Sequence, residues 1–237
     1  MAEFEIYVLP GPFEAIVENE ELSFPESALL RVEAIWQEEF QKREGHLFNG
    51  KILQFISANL SQITLATTEY KFLLAQNHDE KLRHLLHIRP VSVSGLTVSN
   101  KKVLIGKRAT HLSTYPSYYE FAPSGTVDFS AIKENGRIDF EKALLKELVE
   151  ETEISKDHVK YIDRWILVHD TKRDIFEFCG LIFLKPELSN VEKWEPDKEY
   201  EKLLWLSKEE VFEHILQHKE NYVPLSLFLW KRWQENL

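Results

Sequence analysis

The apolar positions of this chain alternate between period-two and helical spacing along its whole length. Residues 4–9 (FEIYVL) and 13–18 (FEAIVE) read as two short strands, turning at Pro10-Gly11-Pro12. A helix follows, with Ser23-x-x-Glu26 as a capping box, Pro25 in its first turn and Gly45 as its stop. Leu29, Leu30, Val32, Ile35, Trp36 and Phe40 give that helix a broad buried stripe. Residues 51–57 and 62–67 predict a hairpin around 58–61, and two short helical pieces end before Pro90. Residues 91–98 and 102–107 alternate as strands about an Asn100-Lys101 turn. Asp139 is a good N-cap for a helix over 140–154. Residues 161–168 and 175–184 predict an antiparallel pair turning through 171–174, the second strand stopping at Pro186. A last strand over 202–206 leads to a helix capped by Ser207-x-x-Glu210, and an amphipathic helix over 225–234 closes the pattern. The fold class is α+β.

The segment 140–154 (FEKALLKELVEETEI) carries the candidate chemistry. At about 100° per residue, Glu147, Glu150 and Glu151 fall on one helix face, with Leu145, Leu148 and Val149 on the other side. Like charges three and four apart each cost roughly 0.2–0.5 kcal/mol. They also lie toward the helix C-terminus, where the dipole disfavours anions. A solvated acidic face is the plain reading of such a helix. A hard divalent cation is the alternative, since Mg²⁺ takes oxygen ligands from one or two carboxylates and shares the rest with water and phosphate.

The order of residues favours the second reading. Lys146-Glu147-Leu148-Val149-Glu150-Glu151-Thr152-Glu153-Ile154 resembles the end of the Nudix box, R-E-U-x-E-E-x-G-U with U aliphatic. Ahead of it, Ala122-Pro123-Ser124-Gly125-Thr126-Val127-Asp128 resembles the Pro-Gly-Gly strand that feeds the Nudix loop. The departures are specific. Lys146 replaces the arginine and loses a planar, bidentate donor. Glu153 replaces the glycine after the helix, which argues against a left-handed terminator there. Ile138 stands where the first glutamate of the box would be, and 130–135 reads as an insertion in the loop.

The resemblance implies a Nudix hydrolase with a mixed curved sheet sandwiched by helices over 91–237. A strand-helix-hairpin extension or small domain occupies 1–90. It implies Mg²⁺ (or Mn²⁺) held by Glu147, Glu150, Glu151 and the Ser124 carbonyl, with Glu147 and Glu151 as the catalytic carboxylates. Lys146 would hold or screen the acids. Arg108, ending the strand VLIGKR, is the candidate phosphate-binding cation; a solvated strand end is its plain reading. Tyr119 is a candidate to stack on a base, though covering the sheet explains it as well. Glu199 and Glu201 are both candidates for a further downstream carboxylate.

Composition narrows the partners. The 237 residues are 43% hydrophobic, 12% aromatic and 29% charged, as expected of a globular chain large enough for a substantial core. The net charge of −10 argues against nucleic acid, whose modules carry a basic footprint, but not against a small phosphorylated ligand. The single cysteine, Cys179, lies in the apolar run FEFCGLIFL and reads as a buried, inert thiol. His78, His84 and His87 lack the carboxylate or cysteine that would complete a metal site. No apolar run approaches membrane-spanning length and the first residues carry acid, so a cytoplasmic protein without membrane contact is expected.

Substrate class is read from less. His46-Leu47-Phe48-Asn49-Gly50-Lys51, a strand pair and then Thr68-x-Tyr70-Lys71 is similar to the N-terminal region of Nudix proteins acting on UDP-glucose-type sugars. Asn49-Gly50 is also an ordinary turn. The window 165–173 holds neither the proline of ADP-ribose enzymes nor the tyrosine of dinucleoside polyphosphate enzymes, and the NADH marker SQPWPFPxS is missing. The expectation is a UDP-sugar cleaved to UMP and a sugar 1-phosphate. The alternatives are a Nudix enzyme on another nucleotide, and a catalytically weak nucleotide-binding or protein-interaction module.

Overall fold

The computed structural model describes residues 3–7, 14–18, 23–59, 61–112, 114–185 and 199–236. The turn expected at Pro10-Gly11-Pro12, the stop at Pro186 and the acidic residues Glu192, Glu195 and Asp197 lie outside them. The strands are β1 (Phe4–Tyr7), β2 (Glu14–Val17), β3 (Lys51–Ala58), β4 (Gln62–Glu69), β5 (Val91–Ser99), β6 (Lys102–Arg108), β7 (Tyr119–Phe121), β8 (Ser124–Thr126), β9 (Val159–Asp170), β10 (Ile175–Leu184) and β11 (Tyr200–Ser207). The helices are α1 (Glu26–Lys42), α2 (Tyr70–His78), α3 (Glu80–Leu86), α4 (Phe140–Thr152), α5 (Lys208–His218) and α6 (Pro224–Trp233).

Most of the larger sheet runs β1-β9-β10-β5-β6-β11, with β7 added to β6 and β8 to β5. It is mixed, because β10 and β5 are parallel while their neighbours are antiparallel. Asn100 and Lys101 both take positive φ, the geometry that matches a two-residue hairpin to strand twist. The smaller sheet has the order β2-β4-β3. β1 and β2, adjacent in sequence, therefore belong to different sheets: β1 pairs with β9 and β2 lies parallel to β4.

One apolar core, including Val91, Val93, Leu144, Leu148, Phe176 and Phe178, lies under α4 and takes Leu53, Phe55 and Leu65 from the smaller sheet. There the Phe55 and Phe176 rings stack at 3.6 Å. A second core on the opposite sheet face gathers Leu96, Val98, Ile105, Leu181, Leu229 and Trp230 beneath α6. A third joins α1 to α2 and α3 through Val32, Ile35, Ala75 and Leu82. Cys179 is fully buried, and that burial pushes its thiol well above its ordinary range.

Three local expectations change. The N-cap of α1 is Pro25, whose carbonyl accepts from Ala28 and Leu29, so the Ser23–Glu26 capping box does not form. The α1 stripe is narrower than its apolar spacing, because Leu29, Leu30 and Phe40 are exposed. Glu153 is left-handed (φ 58°) despite its Cβ, and its N–H closes α4 on the Val149 carbonyl. The Ser207 capping box and the Gly45 stop (φ 82°) are present as expected.

Candidate active site

Asp139 caps α4 by accepting from the Lys142 N–H at 3.0 Å. The buried residues of the helix are Phe140, Ala143, Leu144, Leu148, Glu151 and Thr152. The expected division into acidic and apolar faces is therefore redrawn. Glu151 shares its azimuth with Leu144 and Leu148, while Val149 is exposed. The glutamates consequently occupy three environments. Glu150 is exposed, and Lys146 Nζ stands 3.3 Å from it and 2.9 Å from Asp128. Glu147 is half-buried against β8, where a Cβ added to Gly125 would collide with its carboxylate. Only glycine admits that approach.

Glu151 is 2% exposed. Its Oε2 accepts from the Ser124 N–H at 3.0 Å and lies 3.1 Å from the Tyr200 hydroxyl. Its Oε1 has no partner among the described residues. Tyr200 also lies 3.1 Å from Glu120, which ion-pairs with Arg108. Gly106 makes room for the Tyr200 ring, which a Cβ there would strike. A phenol has one proton to donate, so both tyrosine contacts are hydrogen bonds only if one carboxyl is itself protonated. Burial raises Glu120 even against its Arg108 partner, so the extra proton belongs to the Glu120–Glu151 pair. Burial first, then the charges of Glu120 and Glu199, push Glu151 well above the usual carboxylate range. Burial likewise raises Glu147 to about 7, with Lys146 opposing and Glu150, Glu199 and Asp128 adding to the rise.

Glu120, Glu147 and Glu150 line a cavity of about 1020 Å³. Its lining includes Arg108, Ser124, Lys146, Glu147, Glu150 and Glu199. Glu201 instead pairs with Lys107 at 2.9 Å and accepts from the Thr110 N–H, so Glu199 is the downstream carboxylate that reaches the site. Tyr119 faces elsewhere: its ring packs on His214, His218 and Tyr222, 4.5 Å from the first between centroids. Alternation along β7 explains this, since Tyr119 and Glu120 must point to opposite faces. The same alternation was the available signal for Glu120, which sequence reasoning passed over. Glu177 was also missed. It is buried in the cavity wall, accepts from Ser94 Oγ at 3.0 Å, and is raised by burial to about 7.

A family model described as NUDIX domain matches residues 88–227. No curated protein matches the chain. Among solved structures, a bifunctional NMN adenylyltransferase/ADP ribose pyrophosphatase from Francisella tularensis, complexed with AMP and a Mn ion, is similar with a TM-score of 0.50. Identity is 16%, over 70% of this chain and 49% of that one. The NUDIX domain of Shewanella oneidensis NrtR complexed with ADP ribose gives 0.46 at 17% identity, over 71% and 98%. A MutT protein from Methanosarcina mazei Go1 gives 0.44 at 17%, over 62% and 93%. At these identities the likeness is one of fold. The chain belongs to the NUDIX domain family, the Nudix hydrolases.

Divalent metal is the cofactor such a family implies. Among the described residues no three His, Cys, Asp or Glu stand as a ready-made metal cage. The donor chemistry nevertheless fits a hard cation. Glu151 Oε1 is buried and unpartnered, and burial with neighbouring acids raises the proton affinity of both Glu147 and Glu151. A cation would replace protons there.

Proposed function

We propose that this chain is a pyrophosphohydrolase acting on a nucleoside diphosphate-linked substrate, a UDP-sugar such as UDP-glucose, with release of UMP and a sugar 1-phosphate. The observation that carries the reading is the pairing of half-buried Glu147, at a proton affinity near 7, with buried Glu151, whose Oε1 has no partner among the described residues.

Glu147, Glu151 and Glu199 would hold Mg²⁺ or Mn²⁺, with the Ser124 carbonyl as a backbone ligand and Glu150 at the solvent side. Bound there, the ion supplies neutralisation of pyrophosphate charge and acidification of water. The protein's own groups do the rest. Glu147, in the role the family pattern gives it, would accept the proton of the attacking water. The water oxygen bonds to one phosphorus as the bridging P–O bond breaks, and the leaving phosphate keeps the electron pair. Lys146 restrains Glu150 and Asp128, while Arg108 and Tyr200 fix Glu120 and Glu151.

The UDP-sugar assignment rests on the string around Asn49 and on the lack of other substrate markers in 165–173. In the fold, Asn49 accepts from the Lys71 N–H at 2.9 Å and donates to Glu69, tying β3 to the start of α2. The test is a panel of UDP-glucose, UDP-galactose, ADP-ribose, NADH, diadenosine polyphosphates and nucleoside triphosphates, with and without Mg²⁺. UMP release from a UDP-sugar, lost without metal and in Glu151→Gln, is the expected result. If nothing turns over while nucleotides still bind, the hydrolase reading gives way to a binding module.

A further inference from the structure

The cavity is lined by six carboxylates, Glu120, Glu147, Glu150, Asp170, Glu177 and Glu199, against the approach of an anionic substrate, and two of its cations are already committed. Arg108 is spent on Glu120 and the Thr114 carbonyl, and Lys146 on Asp128 and Glu150. The turn between β9 and β10 is different. Among the described residues, Lys172 and Arg173 line or border the same cavity and form no ion pair.

The acids of that turn are used to shape it. Asp170 Oδ1 accepts from the backbone N–H of Lys172 and of Arg173, at 3.0 Å each. Asp174 stands 2.8 Å from His169 Nε2 and 3.2 Å from His87 Nε2. The Thr171 N–H donates to the Glu3 carbonyl at 3.0 Å, fixing the turn to the chain ahead of β1. Arg173 itself lies over the Tyr115 ring, Cζ 5.2 Å from its centroid, and both line the cavity. An aromatic face of this kind holds a guanidinium in place and leaves its five donors unused.

We propose that Arg173, braced on Tyr115, is the residue that grips the substrate's pyrophosphate in this cavity, the part expected of Arg108. This deepens the hydrolase reading and rests on it for the identity of the substrate. Guanidinium recognises phosphate bidentately through two parallel N–H donors, which lysine cannot reproduce. Arg173 is thus a binding and specificity residue for phosphoanhydrides, with no part in bond making.

The probe is methylenediphosphonate, which cannot be hydrolysed, titrated calorimetrically in Mg²⁺ against the full chain. Arg173→Gln, which keeps a planar side chain, is expected to bind it about tenfold more weakly, and Arg173→Lys about threefold. With UDP-glucose, Arg173→Gln should raise KM by a similar factor and leave kcat within about twofold. Binding by Arg173→Gln equal to that of the native protein overturns the proposal, as does a native protein that does not bind the diphosphonate. Hydrolysis of UDP-glucose with the same KM in both proteins sinks Arg173 and leaves the hydrolase standing. Arg173-dependent diphosphonate binding without turnover of any substrate does the reverse.

Discussion

Glu150 and Glu151 are neighbours in the chain and sit in opposite halves of the site. Glu150 belongs to a solvent-facing group with Lys146 and Asp128, joined at 2.9 and 3.3 Å through one ammonium. Glu151 belongs to a buried group with Tyr200, Glu120 and Arg108, closed off by β7, β8 and β11. The first group is screened, and ion pairs of that kind contribute about 0–1 kcal/mol. In the second, Glu151 Oε1 is buried without a partner among the described residues, and such an oxygen carries a large desolvation cost. A motif treats the glutamates as equivalents, whereas burial ranks them. On the proposed reading the buried acid is where a cation would gain most, and the exposed one would be replaceable.

The largest expected effect separates these halves directly. Glu151→Gln should lower kcat/KM by about 10³-fold, because it removes a charged donor from a water-poor site. Glu150→Gln should lower it by less than about tenfold. Measured without metal at alkaline pH, where Glu151 would ionise beside Glu120 and Glu199, Glu151→Gln should also raise Tm. Equal losses in the two variants would break the ranking. Next in size is Gly125→Ala. Its new methyl would displace the Glu147 carboxylate, the mobile end of a side chain, at little cost to folding. A loss of about 10²-fold in kcat with Tm nearly unchanged is expected; a parallel fall in Tm would mean that β8 itself had moved.

The ranking explains what the sequence could convey. Local elements were legible because their signals are local: the Asn100-Lys101 turn, the Asp139 and Ser207 caps and the β9–β10 pair all appear where spacing puts them. Glu147, Glu150 and Glu151 were legible as a pattern, but their unequal burial was not. It depends on Tyr200 and Glu120, brought to Glu151 from 49 and 31 residues away in sequence. Tyr119 was a candidate for the site because it precedes the Ala122-Pro123 segment, and one step along a strand reverses the face. β1 and β2 read as consecutive strands, yet β1 finds its partner at Asp170, a contact that no local pattern encodes. Left-handed Glu153 defied its residue type, which shows the packing of α4 overriding a local preference.

The buried half also sets a pH response. Burial raises Glu177 from its ordinary carboxylate range to about 7 on folding, so the folded protein binds more protons than the unfolded one across that interval. Stability is therefore fully present below about 4.5 and is lost as pH climbs through about 7. The metal-free protein should be less stable at pH 8 than at pH 5, and Glu177→Gln should remove about 1–3 kcal/mol of that difference. Denaturant midpoints at the two pH values measure it. An unchanged slope in the variant would show that Glu177 is ionised in the folded state.

The smallest effect belongs to the exposed half. Lys146 stands where the family pattern has arginine, and its single ammonium bridges Asp128 and Glu150. A guanidinium at this position would reach both acids with separate N–H donors, holding Glu150 in a narrower range of positions. The gain is confined to a partly exposed pair, where such contacts are worth little. Lys146→Arg should therefore raise kcat/KM by no more than about threefold, and Lys146→Met should lower it by about the same factor. Added salt should shrink both differences, because screening acts on this group and hardly at all on the buried one. A tenfold or larger change in either variant, insensitive to salt, would show that Glu150 shares the work of Glu151 and that exposure is the wrong measure of an acid's role in this site.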